Sequence, residues 1–188
     1  MAAPHNSADS VDRGLRLVRI FHPDPGEFGR LAAVGATDVP PEPRGLLDHN
    51  AHMTVAMERR HGGPVGLRVV GERSADACGA AGNWYAREIL LVGPHGSVVQ
   101  HGIVRIDLDA VGPAVAATIR AGRIPLGRIL LAAGLLLEVQ RVALLAVEPG
   151  PHLRALLGGA TGSVYGRVAE IVVNGRPAVE LLEIVATP

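Results

Sequence analysis

Two strongly aliphatic runs, Arg167 to Val173 and Pro177 to Val185, flank the dipeptide Asn174-Gly175. That dipeptide suits a two-residue turn whose central residues both need positive φ, so this part of the chain is constrained to an antiparallel hairpin. A second hairpin is predicted from Tyr85 to Val92 and Ser97 to Leu108, joined by Pro94-His95-Gly96, with Val65 to Glu72 as a further strand. Between them, Gly112 to Ala121 reads as a helix, Pro125-Leu126-Gly127 opens a shorter one, and Leu136 to Val147 reads as a strand. Pro151 to Leu157 and the stretch Gly45 to Glu58, with Leu46, Leu47, Met53 and Met57, suit short helical turns. Pro40, Pro41 and Pro43 mark Asp38 to Arg44 as a surface connection, and His22-Pro23-Asp24-Pro25 stops any helix begun before it.

Consecutive hairpins with helices inserted between them give an α+β domain on an antiparallel sheet. The 188 residues, 48% apolar and 19% charged, fit one domain with a sizeable core. We read residues 14–188 as that domain and residues 1–13, small and polar, as a flexible tail.

All 18 basic residues are arginines, so the chain offers no lysine for Schiff-base or pyridoxal chemistry. Net charge is zero and there are only one Trp, two Tyr and two Phe, which argues against nucleic acid as a partner. The apolar run Ile129 to Leu137 falls far short of the roughly 20 residues a membrane helix needs. With no apolar stretch for a signal peptide near the start and a single cysteine, Cys78, a cytoplasmic location is expected, with the thiol inert.

Arg87 stands mid-strand and shares a face with Tyr85, Ile89 and Leu91, so it is expected to point inward. A buried guanidinium demands an anion: either a ligand carboxylate, which its fork binds bidentately, or an internal carboxylate such as Glu88 or Glu183. Glu180 and Glu183 are three apart on one strand and face opposite sides of the sheet, so at most one shares a cavity with Arg87. A carboxyl among aliphatic neighbours suits general acid catalysis, and the alternative is a salt bridge to Arg87 or Arg167. Pro125-Leu126-Gly127 opens a helix whose free N–H groups can meet a carboxylate. His49 and His52 fall on one helix face with His61 beyond, but no HExxH or CxxC accompanies them and no metal is expected. Ser97, Thr161 and Ser163 lack a nucleophile elbow, and no Gly-rich phosphate cradle follows a strand.

Taken in order, His52-Met53-Thr54, Trp84-Tyr85-Ala86-Arg87-Glu88-Ile89, Pro125-Leu126-Gly127-Arg128, and Gly175-Arg176-Pro177 running on to Glu183-Ile184-Val185 resemble the chorismate pyruvate-lyase (4-hydroxybenzoate synthase) family. The likeness spans Leu46 to Val185. It implies an α+β fold with helical flaps over a buried cavity, no cofactor, and release of pyruvate from chorismate to leave 4-hydroxybenzoate. It also implies that Arg87 is the essential arginine, Glu183 the acidic residue, and the amides of Met53 and Leu126, beside Thr54 and Gly127, the anion contacts. A second family arginine directly after Gly102 is replaced by Ile103, leaving Arg105 as a substitute, and Glu180 stands as the fallback for Glu183. Two rivals remain: an enzyme making another product from chorismate or another acid, and a ligand-sensing module, since effector domains of GntR-like repressors share this fold. No helix-turn-helix is expected beside the lyase-like domain.

Overall fold

The computed structural model describes residues 7–159 and 161–186. Residues 1–6 of the expected tail lie outside the described residues, but Ser7 to Arg13 are no tail. They form the first half of a helix, α1 (Ser7–Phe21), that buries Ser10, Arg13, Gly14, Leu17 and Val18. It ends directly before His22-Pro23, as the prolines require. A one-turn helix α2 (Pro25–Phe28), capped by the Asp24 side chain, leads into a strand that sequence reading missed, β1 (Gly29–Ala33).

The proline-rich connection is also helical. Pro41 sits in the first turn of α3 (Pro41–Leu47), where its missing N–H costs nothing, and α4 (Met53–His61) follows after a short loop. Then come β2 (Gly66–Ser74), a single turn α5 (Ala75–Cys78), β3 (Trp84–Val92) and β4 (Val98–Asp107). The chain continues through α6 (Pro113–Arg120), α7 (Leu126–Ala132), β5 (Leu137–Pro149), α8 (Pro151–Leu156), β6 (Val164–Val173) and β7 (Arg176–Val185).

All seven strands form one antiparallel sheet in the order β1-β5-β6-β7-β4-β3-β2. The predicted β6–β7 turn is present with Asn174 at φ 50° and Gly175 at φ 80°, the positive pair a tight hairpin demands. The single α+β domain expected from the sequence is therefore the observed fold.

The two sheet faces carry different layers. Ile103, Leu145, Val168, Leu182 and Ile184 face Leu17 and Val18 of α1, Phe28 of α2 and Leu153 of α8. The opposite face packs against α6 and α7 through Tyr85, Val104, Ile171 and Leu181, and against α3 and α4 through Ile89, Leu91 and Val185. In β5 a bulge between Gln140 and Ala143, with Arg141 at φ 53°, resets the alternation. Val139 thus faces the α7 side while Leu145 and Val147 face α1.

Candidate functional site

Alternation on four neighbouring strands brings the polar residues of one face together. Arg87 (β3), Gly102 (β4), Glu183 (β7) and Arg167 (β6) line a cavity roofed by the starts of α4 and α7. Met53, Thr54, Leu126 and Gly127 line the same cavity, so the residues drawn from separate motifs converge. Gly102 has a local reason to lack a side chain, because a Cβ there would stand 3.2 Å from Ile89 Cδ1 on the cavity floor.

Arg87 is 1% exposed and reaches neither carboxylate that the sequence offered. Its Nη2 donates only a long bond of 3.4 Å to the Ile124 carbonyl, and its Nε and Nη1 are buried without a partner among the described residues. Burial pushes its pKa below the usual guanidinium value, with Tyr85 and Glu72 opposing the shift. A buried cation with no carboxylate against it among the described residues is a candidate for binding an anion.

Glu183 has a different partner. Its Oε2 accepts from Arg167 Nε at 2.7 Å, so the salt bridge that sequence reading kept as an alternative is the one present. Arg167, itself 1% exposed, also donates through Nη1 to the His49 carbonyl at 2.6 Å and through Nη2 to the Ala51 carbonyl at 3.2 Å. It therefore ties the loop before α4 to the sheet and fixes where the first amides of that helix point. Sequence reading did not place Arg167 in the site, although the signal matches that of Arg87: Arg167 alternates with Tyr165, Ala169 and Ile171 on one strand face.

Arg105 and Glu180 do not belong to the cavity. They lie on the opposite face and pair with each other at 3.2 Å, their side chains 42% and 41% exposed, and the Arg105 guanidinium stands over the Trp84 ring. The substitution of Arg105 for the missing second arginine is thus corrected, and Glu180 is removed as the fallback. Gly102 and Arg105 are three residues apart on a strand, which forces opposite faces. Arg105→Ala is accordingly expected to change ligand binding and stability by no more than about 0.5 kcal/mol in calorimetric titration and thermal melts.

The roof is made of two helix starts that touch. A Cβ on Gly127 would lie 3.0 Å from Thr54 Oγ1, and Arg128 of α7 forms an ion pair with Glu58 of α4. Neither helix has a side-chain cap, since His52 and Pro125 occupy those positions without making one. The first-turn amides of Met53, Thr54, Leu126 and Gly127 therefore lack intrahelical acceptors at the cavity wall. Gln100 supplies a further group that the sequence did not flag: its Oε1 is a buried acceptor without a partner among the described residues.

Burial lowers the pKa of His52 at the cavity, of His49 beside it, and of His101 on the other face. The unfolded chain takes up protons on these rings near pH 6.5, as the folded chain does not, so stability falls as pH drops below about 6.5. Glu88 adds to this. Burial raises its carboxyl, but hydrogen bonds and charge from His101 and His22 outweigh burial and hold it at about 2. Its contribution, complete above the ordinary carboxyl value, is lost as pH falls from about 4.5 toward 2. Melting temperatures followed by circular dichroism are expected to decline steadily from neutral pH to acid; a flat profile would contradict the burial assigned to these histidines.

No family model matches the chain, and no curated protein is significantly similar to it. Among solved structures, it is similar to the ligand-binding domain of a protein assigned to the GntR family of transcriptional regulators from Bordetella bronchiseptica. That match has a TM-score of 0.50 at 17% identity and covers 65% of this chain and 86% of that one. The chain shares that domain's fold. Weaker similarity extends to the C-terminal domain of Yurk from Bacillus subtilis (TM-score 0.48, 14% identity, 64% of this chain and 89% of that one). It extends also to a GntR-family transcriptional regulator from Bacillus cereus (0.47, 10%, 65% and 91%). The GntR ligand-binding domain and chorismate lyase share one fold, so the fold implied by the sequence resemblance is the fold found, while its activity is a separate question. No helix among the described residues is long and apolar enough to cross a membrane.

Proposed function

We propose that this cavity binds chorismate and eliminates pyruvate from it, leaving 4-hydroxybenzoate. The observation that carries the reading is the buried guanidinium of Arg87, with two N–H-bearing nitrogens unpaired among the described residues, on a pocket lined largely by aliphatic side chains. A planar fork of this kind matches a carboxylate, and the uncapped starts of α4 and α7 supply amides for a second anionic group. Chorismate carries two carboxylates, which suits one cation and two helix starts better than a neutral ligand would.

In the reaction the ring carbon–oxygen bond to the enolpyruvyl group breaks, its electron pair leaving with the oxygen. The carbinol carbon loses its proton to complete the aromatic ring, and the released enol gains a proton at its methylene to become pyruvate. Arg87 and the amides hold the carboxylates and exclude water, and Glu183, fixed by Arg167, offers a carboxylate acceptor that orients the substrate hydroxyl.

Incubating the protein with chorismate and separating products by chromatography tests this. Equimolar pyruvate and 4-hydroxybenzoate are expected; absence of both would overturn the reaction. A second reading, a non-catalytic module that binds a small carboxylic acid, is favoured by the similarity to a GntR-family ligand-binding domain. It predicts that 4-hydroxybenzoate or chorismate binds without turnover.

A further inference from the structure

On the far side of the sheet, directly behind Arg87, three imidazoles converge on one carboxylate oxygen. Glu88 Oε1 lies 3.1 Å from His22 Nε2, 3.1 Å from His152 Nε2 and 2.8 Å from His101 Nε2. The four residues come from distant parts of the chain: His22 follows α1, Glu88 is on β3, His101 on β4 and His152 on α8. A carboxylate oxygen has two lone pairs, so three ring nitrogens at hydrogen-bond distance exceed what it can accept.

We propose that His22, His152 and Glu88 form a binding site for a divalent transition-metal ion of the Zn²⁺ class, with His101 orienting the carboxylate. The candidate ligand atoms of the three residues all lie within 4.8 Å of one another. Ligands about 2.0–2.1 Å from a tetrahedral Zn²⁺ stand about 3.3 Å apart, close to the spacing of Glu88 Oε1 from either ring nitrogen. Two imidazoles and one carboxylate are a donor set that Zn²⁺ takes, with a remaining position for water or another ligand.

The fourth residue fits the outer layer of such a site. His101 is fully buried, its Nε2 lies 2.8 Å from Glu88 Oε1, and its Nδ1 has no partner among the described residues. A donor behind a ligating carboxylate is the usual outer support of a metal. Phe28 closes the apolar side, its ring 5.5 Å from His22 and 5.4 Å from His101. His152 is the open side, with 32% of its side chain exposed, which gives an ion a way in and leaves the spare coordination position toward solvent. A bound ion would pin the end of α1 and the start of α8 to β3. From the sequence, His49, His52 and His61 are the histidines to weigh as ligands and no metal is expected; the fold brings together a different set.

The test uses the untagged full chain, stripped with chelator and titrated with Zn²⁺ against a competing chelating dye. One ion per chain is expected, with a rise in melting temperature on addition. His152→Ala, at the open side of the cluster, should bind at least about 100-fold more weakly and lose the thermal shift, and Glu88→Gln should do the same. His61→Ala, outside the cluster, should match the parent. Failure of the parent chain to take up one equivalent, or retention of parental affinity by His152→Ala, would overturn the site. Neither result depends on what the cavity on the other face binds.

Discussion

Arg87→Met is expected to raise the melting temperature of the free protein while abolishing the turnover of chorismate that we propose. The guanidinium is buried, its Nε and Nη1 have no acceptor among the described residues, and its one bond is long. A methionine fills much of the same stem volume without a charge to desolvate, and removing a poorly compensated buried ion commonly stabilises by about 1–4 kcal/mol. For a domain of this size that corresponds to roughly 2–4 °C per kcal/mol. Loss of a charge-assisted contact to a ligand carboxylate should weaken binding by about 2–5 kcal/mol. Differential scanning fluorimetry of the free variant and product analysis with chorismate read the two halves. A variant that melts lower and still turns over would show that Arg87 serves the fold.

Arg167→Met should behave in the opposite way, although Arg167 is buried on the same sheet face. Its Nε meets Glu183 Oε2, and its other nitrogens meet the carbonyls of His49 and Ala51. The variant leaves Glu183 without its counter-ion and those carbonyls without a donor, which is expected to cost about 3–5 kcal/mol, or roughly 6–20 °C in melting temperature. The double change Arg167→Met with Glu183→Leu should recover part of the loss, because the stranded charge goes with its partner. Equal melting temperatures for the parent and Arg167→Met would contradict the role of Arg167 in fixing the loop before α4. The opposite signs distinguish a cation kept for a ligand from a cation kept for the chain.

Much of this was legible before the fold was known. Period-two alternation turned Arg87 inward, and the three-residue offset of Glu180 and Glu183 divided them between the faces, as the structure has them. The same arithmetic, applied from Gly102, would have sent Arg105 to the far face, where it pairs with Glu180. Helix α1 was missed because its buried positions include Ser10, Arg13 and Gly14, residues too small or too polar to register as an apolar stripe. Gly14 is there because the helix runs close to the sheet: a Cβ would stand 2.7 Å from Leu31 Cδ2. The cluster of His22, Glu88, His101 and His152 had no local signature at all, because only the sheet order and the return of α8 bring those residues together.

The central claim is that Arg87 anchors a carboxylate in the cavity. Calorimetric titration of 4-hydroxybenzoate into the parent chain and into Arg87→Met tests it most directly. One ligand per chain for the parent and no detectable binding for the variant are predicted; equal affinity for both proteins would contradict the account.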